Sequence, residues 1–98
     1  MRNANNGMYL DVAGANTTSG TAVRAYTSNS TSAQKWRIYP ISGLTGVYVI
    51  RSYLDTSLAL SAPNLANNGG TVVKRISTSN LDAAIPEDCK WAYRGGIA

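Results

Sequence analysis

The sequence predicts an all-β fold, and three observations carry that prediction. Apolar residues alternate with polar ones in short runs, and the runs are separated by clusters of Gly, Asn, Ser and Pro. No window holds a sustained i, i+3, i+4 apolar stripe. Taken in order, strands are expected over 8–12, 21–26, 35–39, 47–51, 57–61, 71–76 and 90–93. The connections fall at 14–20, 28–32, 42–43, 63–70 and 82–88, each rich in turn-forming residues. A single turn of helix fits 81–85 and nothing longer does.

The chain also repeats itself. Gly20-Thr21-Ala22-Val23-Arg24-Ala25-Tyr26, closed by Gln34-Lys35-Trp36, returns as Gly70-Thr71-Val72-Val73-Lys74-Arg75-Ile76, closed by Cys89-Lys90-Trp91. Upstream of each lies a short alternating run, Tyr9-Leu10-Asp11-Val12 and then Ser57-Leu58-Ala59-Leu60. A period of this size marks an internally repeated architecture. The reading is one module over residues 1–98, with repeat one at about 1–45 and repeat two at about 46–98. Trp36 and Trp91 are expected as core anchors, packed against Leu10, Val12, Val23 and Ile38 and against Leu58, Leu60 and Val73.

Leu-Asp-Val, then Gly-Thr-x-Val, then Gln-x-Trp, in that order, resembles the ricin B-type β-trefoil lectins, also described as family 13 carbohydrate-binding modules. The resemblance covers nearly the whole chain, 1–93. It implies a β-trefoil, in which three such units surround a pseudo-threefold axis. Two units are present, so the expected architecture is an incomplete trefoil, two repeats of three. An open barrel of this kind is expected to leave strand edges and the apolar side chains of 8–12 and 47–51 exposed. The missing part then comes from a longer parent polypeptide or from other copies of the chain, as a homo-oligomer.

Composition narrows the function classes. Charged residues make up only 14% of the 98 residues, and the net charge is +4. The nine Lys and Arg residues are scattered one or two at a time, so a nucleic-acid partner is not expected. No stretch is long and apolar enough to span a bilayer, and the first residues hold no signal-peptide apolar core. With no histidine, Ser-His-Asp and Cys-His catalysis and His-based metal sites are excluded. A glycosidase needs two carboxylates facing each other across a bond. The five available are Asp11, Asp55, Asp82, Glu87 and Asp88, and the adjacent pair Glu87-Asp88 reads as a surface-loop feature. The chain is therefore expected to be non-catalytic, with no cofactor and no metal.

Asp11 sits inside an apolar strand, where a carboxylate needs a reason to be. It either points to solvent or caps a backbone amide, or it serves the role that the resemblance implies. In that role Asp11 accepts hydrogen bonds from adjacent sugar hydroxyls, Tyr26 stacks on the sugar ring, Gln34 steadies the site and Arg24 faces the ligand. Family members usually carry Asn before the Gln, where this chain has Ala33; Asn29 and Ser32 are the substitutes on the same loop. In the second repeat Ala59, Ile76 and Cys89 stand in place of the Asp, the aromatic and the Gln, which leaves a scaffold role. Cys89 there reads as a small buried hydrophobe. The loop before it is also longer, twelve residues between Ile76 and Cys89 against seven between Tyr26 and Gln34. The implied function is binding of a glycan or polysaccharide, with a galactose- or xylose-type sugar, in an extracellular or secreted setting. The alternatives are a trefoil with a dead sugar site that serves protein assembly, and a non-catalytic fragment of a larger glycoside hydrolase or toxin.

Overall fold

The computed structural model describes residues 7–62 and 71–92. Among these the chain forms seven strands: β1 Tyr9–Val12, β2 Ala22–Tyr26, β3 Trp36–Pro40, β4 Val47–Ser52, β5 Leu58–Ser61, β6 Thr71–Arg75 and β7 Trp91–Ala92. Four single 3₁₀ turns punctuate them at Ala13–Ala15, Ser32–Gln34, Asp82–Ala84 and Glu87–Cys89. Each strand predicted from alternation is present within a residue or two of its expected bounds. The expected helical turn at 81–85 is the 3₁₀ turn Asp82–Ala84. The predicted connection 63–70 and the end of the last strand at residue 93 lie outside the described residues.

The pairings between these strands are antiparallel, in the order β1-β2-β6-β5-β4-β3, with β7 added to β4. The two repeats give matching hairpins. In β1–β2, Val12 faces Val23 and Asp11 faces Arg24; in β5–β6, Leu60 faces Val73 and Ala59 faces Lys74. The hairpins meet through β2 and β6, where Gly20 donates to the Val73 carbonyl at 2.7 Å and Val73 donates back to Thr21 at 2.9 Å. Gly20 holds φ at +95°, a conformation costly for any residue with a Cβ, just where the chain enters this junction.

Two apolar clusters stabilise the sheet. One joins Ile41, Val49, Ala59, Ile85 and Cys89; the other joins Val12, Ala33, Leu58 and Val73, with Trp36 and Leu54 packed against it. Here three expectations are corrected. Residues 47–51 are not left wet: β4 is an interior strand flanked by β3, β5 and β7, and Val49 is fully buried. Ile38 is not core but 53% exposed, because β3 is the last strand of the sheet path and that side chain has no strand beyond it. Trp36 and Trp91 are only half-buried. Each indole N–H donates to a backbone carbonyl, Leu10 and Leu60 respectively, both at 3.0 Å, so each ring keeps its polar tip satisfied.

Candidate functional site

The β1–β2 ladder and the Ser32–Gln34 turn bring the four expected site residues into one chain of contacts. Asp11 and Arg24 are directly opposed, and Tyr9 opposes Tyr26 two residues along. Period two puts all four side chains on one face of the hairpin. Arg24 Nε donates to Asp11 Oδ1 at 3.1 Å. Its guanidinium carbon also lies 3.9 Å from the centre of the Tyr26 ring, a cation–π contact.

Gln34 arrives from the other side. The 3₁₀ turn Ser32–Gln34 places its amide Nε2 3.0 Å from Asp11 Oδ2 and 2.8 Å from the Thr27 carbonyl. Its Oε1 accepts from the Asn29 backbone N–H at 3.1 Å. Every polar group of the Gln34 amide is thereby directed. Asn29 is itself fixed, since its Oδ1 accepts from both the N–H and the hydroxyl of Thr31. Ala33, where the family usually has Asn, is buried in the apolar cluster around Val12.

Asp11 is thus neither solvent-facing nor a backbone cap. It is 1% exposed, with one side-chain donor on each oxygen. A buried carboxylate is tolerable when paired and hydrogen-bonded in this way. The surface of the site is formed instead by Tyr26, 43% exposed, and by Arg24, whose side chain is also 43% exposed. Tyr9, Thr27 and Asn29 belong to the arrangement too. The signal for Tyr9 was in the sequence, as strand alternation sets it on the face of Asp11; Asn29 is expected on this loop in place of the family's Asn, and nothing local marks Thr27.

The same positions of the second repeat hold different chemistry. Ala59 and Cys89, the counterparts of Asp11 and Gln34, are both fully buried and pack in one apolar cluster. Burial and the neighbouring Asp88 charge push the Cys89 thiol up, which keeps it protonated and apolar in behaviour. Lys74, opposite Ala59, turns to Asp88, whose Oδ2 also accepts from the Ser61 hydroxyl at 2.6 Å. That hydroxyl is the leading reason the Asp88 carboxyl lies below its ordinary value. Lys90 sits between Asp82 and Glu87 at 2.5 Å from each, in a depression also lined by Leu44 and Val47.

One further feature escaped the sequence. Arg51 of β4 is 2% exposed and has no carboxylate partner among the described residues. Its guanidinium donates to the carbonyls of Thr56, Ser77 and Ser79 and to Asn80 Oδ1, over 2.9–3.1 Å. The extra length of the second-repeat loop is wrapped around this one side chain. Among the described residues there is no cluster of metal-ligating groups, and no helix is long and apolar enough to cross a membrane.

Residues 1–75 match the family described as ricin-type beta-trefoil lectin domain-like. Among solved structures, the chain is similar to a designed three-fold symmetric protein, ThreeFoil, at 23% identity and a TM-score of 0.66. The similarity covers 88% of this chain and 56% of ThreeFoil, so the chain spans little more than half of that structure. At this identity the likeness speaks for the fold alone: the seven-stranded sheet is a partial trefoil. No curated protein matches the chain.

Proposed function

Because the chain belongs to the ricin-type beta-trefoil lectin domain-like family, we propose that it is a non-catalytic carbohydrate-binding module whose sugar contacts lie on the β1–β2 hairpin. The observation that carries this reading is the unbroken contact chain Gln34–Asp11–Arg24–Tyr26. A carboxylate side chain beside an exposed aromatic ring is the pairing a sugar needs, hydroxyls to one and the apolar ring face to the other. Arg24 occupies one oxygen of Asp11 and lies over Tyr26. A galactose- or xylose-type ring must therefore shift Arg24 to reach both, after which the guanidinium remains at the rim as a hydroxyl donor.

Giving up a half-exposed ion pair and a cation–π contact costs about 1–2 kcal/mol together. That cost points to weak binding, of roughly millimolar affinity, near −4 kcal/mol. Calorimetric titration with galactose, xylose and their oligomers tests it. Asp11→Ala and Tyr26→Ala are each expected to abolish measurable heat, and binding unchanged in Asp11→Ala rejects the site. Arg24→Ala is expected to tighten binding a few-fold if the arginine must move.

A second reading is favoured by one observation: both oxygens of Asp11 are already engaged and the group is buried. In that case the polar chain only braces the hairpin, and the module serves assembly with other copies or with a parent polypeptide. An extracellular or secreted setting belongs to the glycan reading, on family grounds alone.

A further inference from the structure

Nine Lys and Arg stand against five Asp and Glu in this chain, and the ion pairs consume all five acids. Asp11 takes Arg24, Asp55 takes Arg75, Asp88 takes Lys74, and Asp82 and Glu87 together take Lys90. Among the described residues, three cations are left with no carboxylate: Lys35, Arg37 and Arg51. All three belong to the β3–β4 hairpin. Lys35 immediately precedes β3, and Arg37 stands directly opposite Arg51 across the ladder. Like charges facing each other across a ladder are unfavourable. Arg51 escapes by burying its guanidinium among carbonyl oxygens. Lys35 and Arg37 stay at the surface.

Both then converge on one aromatic ring. The Arg37 guanidinium carbon is 4.7 Å from the centre of the Tyr53 ring and the Lys35 ammonium is 5.8 Å from it. Tyr53 is 47% exposed, and its N–H donates to the Lys35 carbonyl at 3.0 Å, which ties the ring to the start of β3. The internal repeat supplies a contrast. Lys90 holds the same place before Trp91 that Lys35 holds before Trp36, yet it is clasped by two carboxylates. At this position, before the tryptophan, the lysine without a carboxylate is the one in the first copy.

We propose that Lys35, Arg37 and Tyr53 form a second glycan subsite, selective for an acidic sugar residue that carries a sulfate ester or a uronate carboxylate. The choice of a sugar rests on the carbohydrate-module reading; the requirement for an anion rests on the charge pairing alone. A guanidinium and a nearby ammonium gathered at one ring make charge-assisted hydrogen bonds to such an oxyanion. The exposed ring edge of Tyr53 offers apolar contact to the pyranose that bears it. Nucleic acid is the poorer fit, since its binding draws on many phosphate contacts along an extended basic face. Among the described residues, the surface cations without a carboxylate are only two, Lys35 and Arg37.

The test uses the intact chain with dextran sulfate oligosaccharide, unsulfated dextran of equal length, polyglutamate and a single-stranded DNA oligomer. Dextran sulfate is expected to bind and plain dextran to bind at least about tenfold more weakly, with the difference shrinking as salt screens it. The double variant Lys35→Gln/Arg37→Gln is expected to lose about tenfold in dextran sulfate affinity. Lys74→Gln/Arg75→Gln removes the same net charge from cations already paired, and should lose less than about threefold. Equal losses in the two double variants would overturn the proposal. So would polyglutamate or DNA binding as tightly as dextran sulfate. Asp11→Ala separates this subsite from the hairpin site: it should leave dextran sulfate binding intact while abolishing binding of the neutral sugar.

Discussion

Asp11 is accommodated in a nearly dry position because Arg24 and Gln34 each satisfy one of its oxygens. Its counterpart Ala59 shows the converse solution, since Cys89 stands there in place of Gln34 and the two share one apolar cluster. The two positions are thus coupled within each repeat, and they should be exchangeable only as a pair. Ala59→Asp alone would bury a carboxylate against Cys89, at an expected cost of about 3 kcal/mol or more. Adding Cys89→Gln should recover part of that loss, because the amide supplies the donor that Gln34 supplies in the first repeat. Thermal or urea unfolding of the single and double variants measures the recovery. A double variant no more stable than Ala59→Asp would show that the repeats are not interchangeable at this site.

At the scale of elements, the second-repeat loop is held from inside by Arg51 and from outside by carboxylate turns. Arg51→Met keeps the bulk of the side chain but strips its donors from four oxygens, three of them backbone carbonyls. Each buried acceptor left unsatisfied costs about 1–3 kcal/mol. The variant should therefore lose several kcal/mol, and hydrogen exchange should rise first across 77–80. An unchanged exchange pattern would argue against Arg51 as the anchor. Asp55 acts at the β4–β5 turn. The Ser57 hydroxyl, then the Ser57 N–H and Arg75, hold its carboxyl down to about 2. A carboxylate depressed in the fold contributes stability that is complete above its unfolded value and is lost as pH falls through its folded value. Part of the acid sensitivity should thus lie between about pH 4 and pH 2. Asp55→Asn should flatten the melting-temperature profile in that window and leave its shape at neutral pH unchanged.

For the whole molecule, the sheet path ends at β1 and β3, and β3 presents Ile38 at its open side. Edges of this kind invite pairing with another chain. The partial trefoil spans 56% of a three-fold symmetric structure, which leaves room for a further unit. We expect the chain to associate through these ends, three chains with two repeats each being enough to complete two trefoils. Light scattering behind a sizing column should then report a defined mass above that of one chain. A monomer that melts cooperatively would refute the association, and aggregate of no fixed mass would favour completion by a parent polypeptide.

The strands, the repeat and the family were legible in the sequence because each depends on neighbouring residues. Alternation within 9–12 or 71–75 follows from the pleat of a single strand, and the runs at 9–12, 20–26 and 34–36 return in altered form at 57–60, 70–76 and 89–91. The same spacing drew Asp11, Arg24, Tyr26 and Gln34 together as candidates. What it left open was the state of Asp11, whose two partners lie 13 and 23 residues away. Arg51 was invisible for the same reason, since Asn80 and the Ser77 and Ser79 carbonyls reach it only once the second hairpin has folded back. Tyr53 meets Lys35 and Arg37 only because β3 pairs with β4. Local periodicity fixes which residues share a strand face, but burial, charge pairing and the open edge depend on which distant strands meet, and only the tertiary structure decides that.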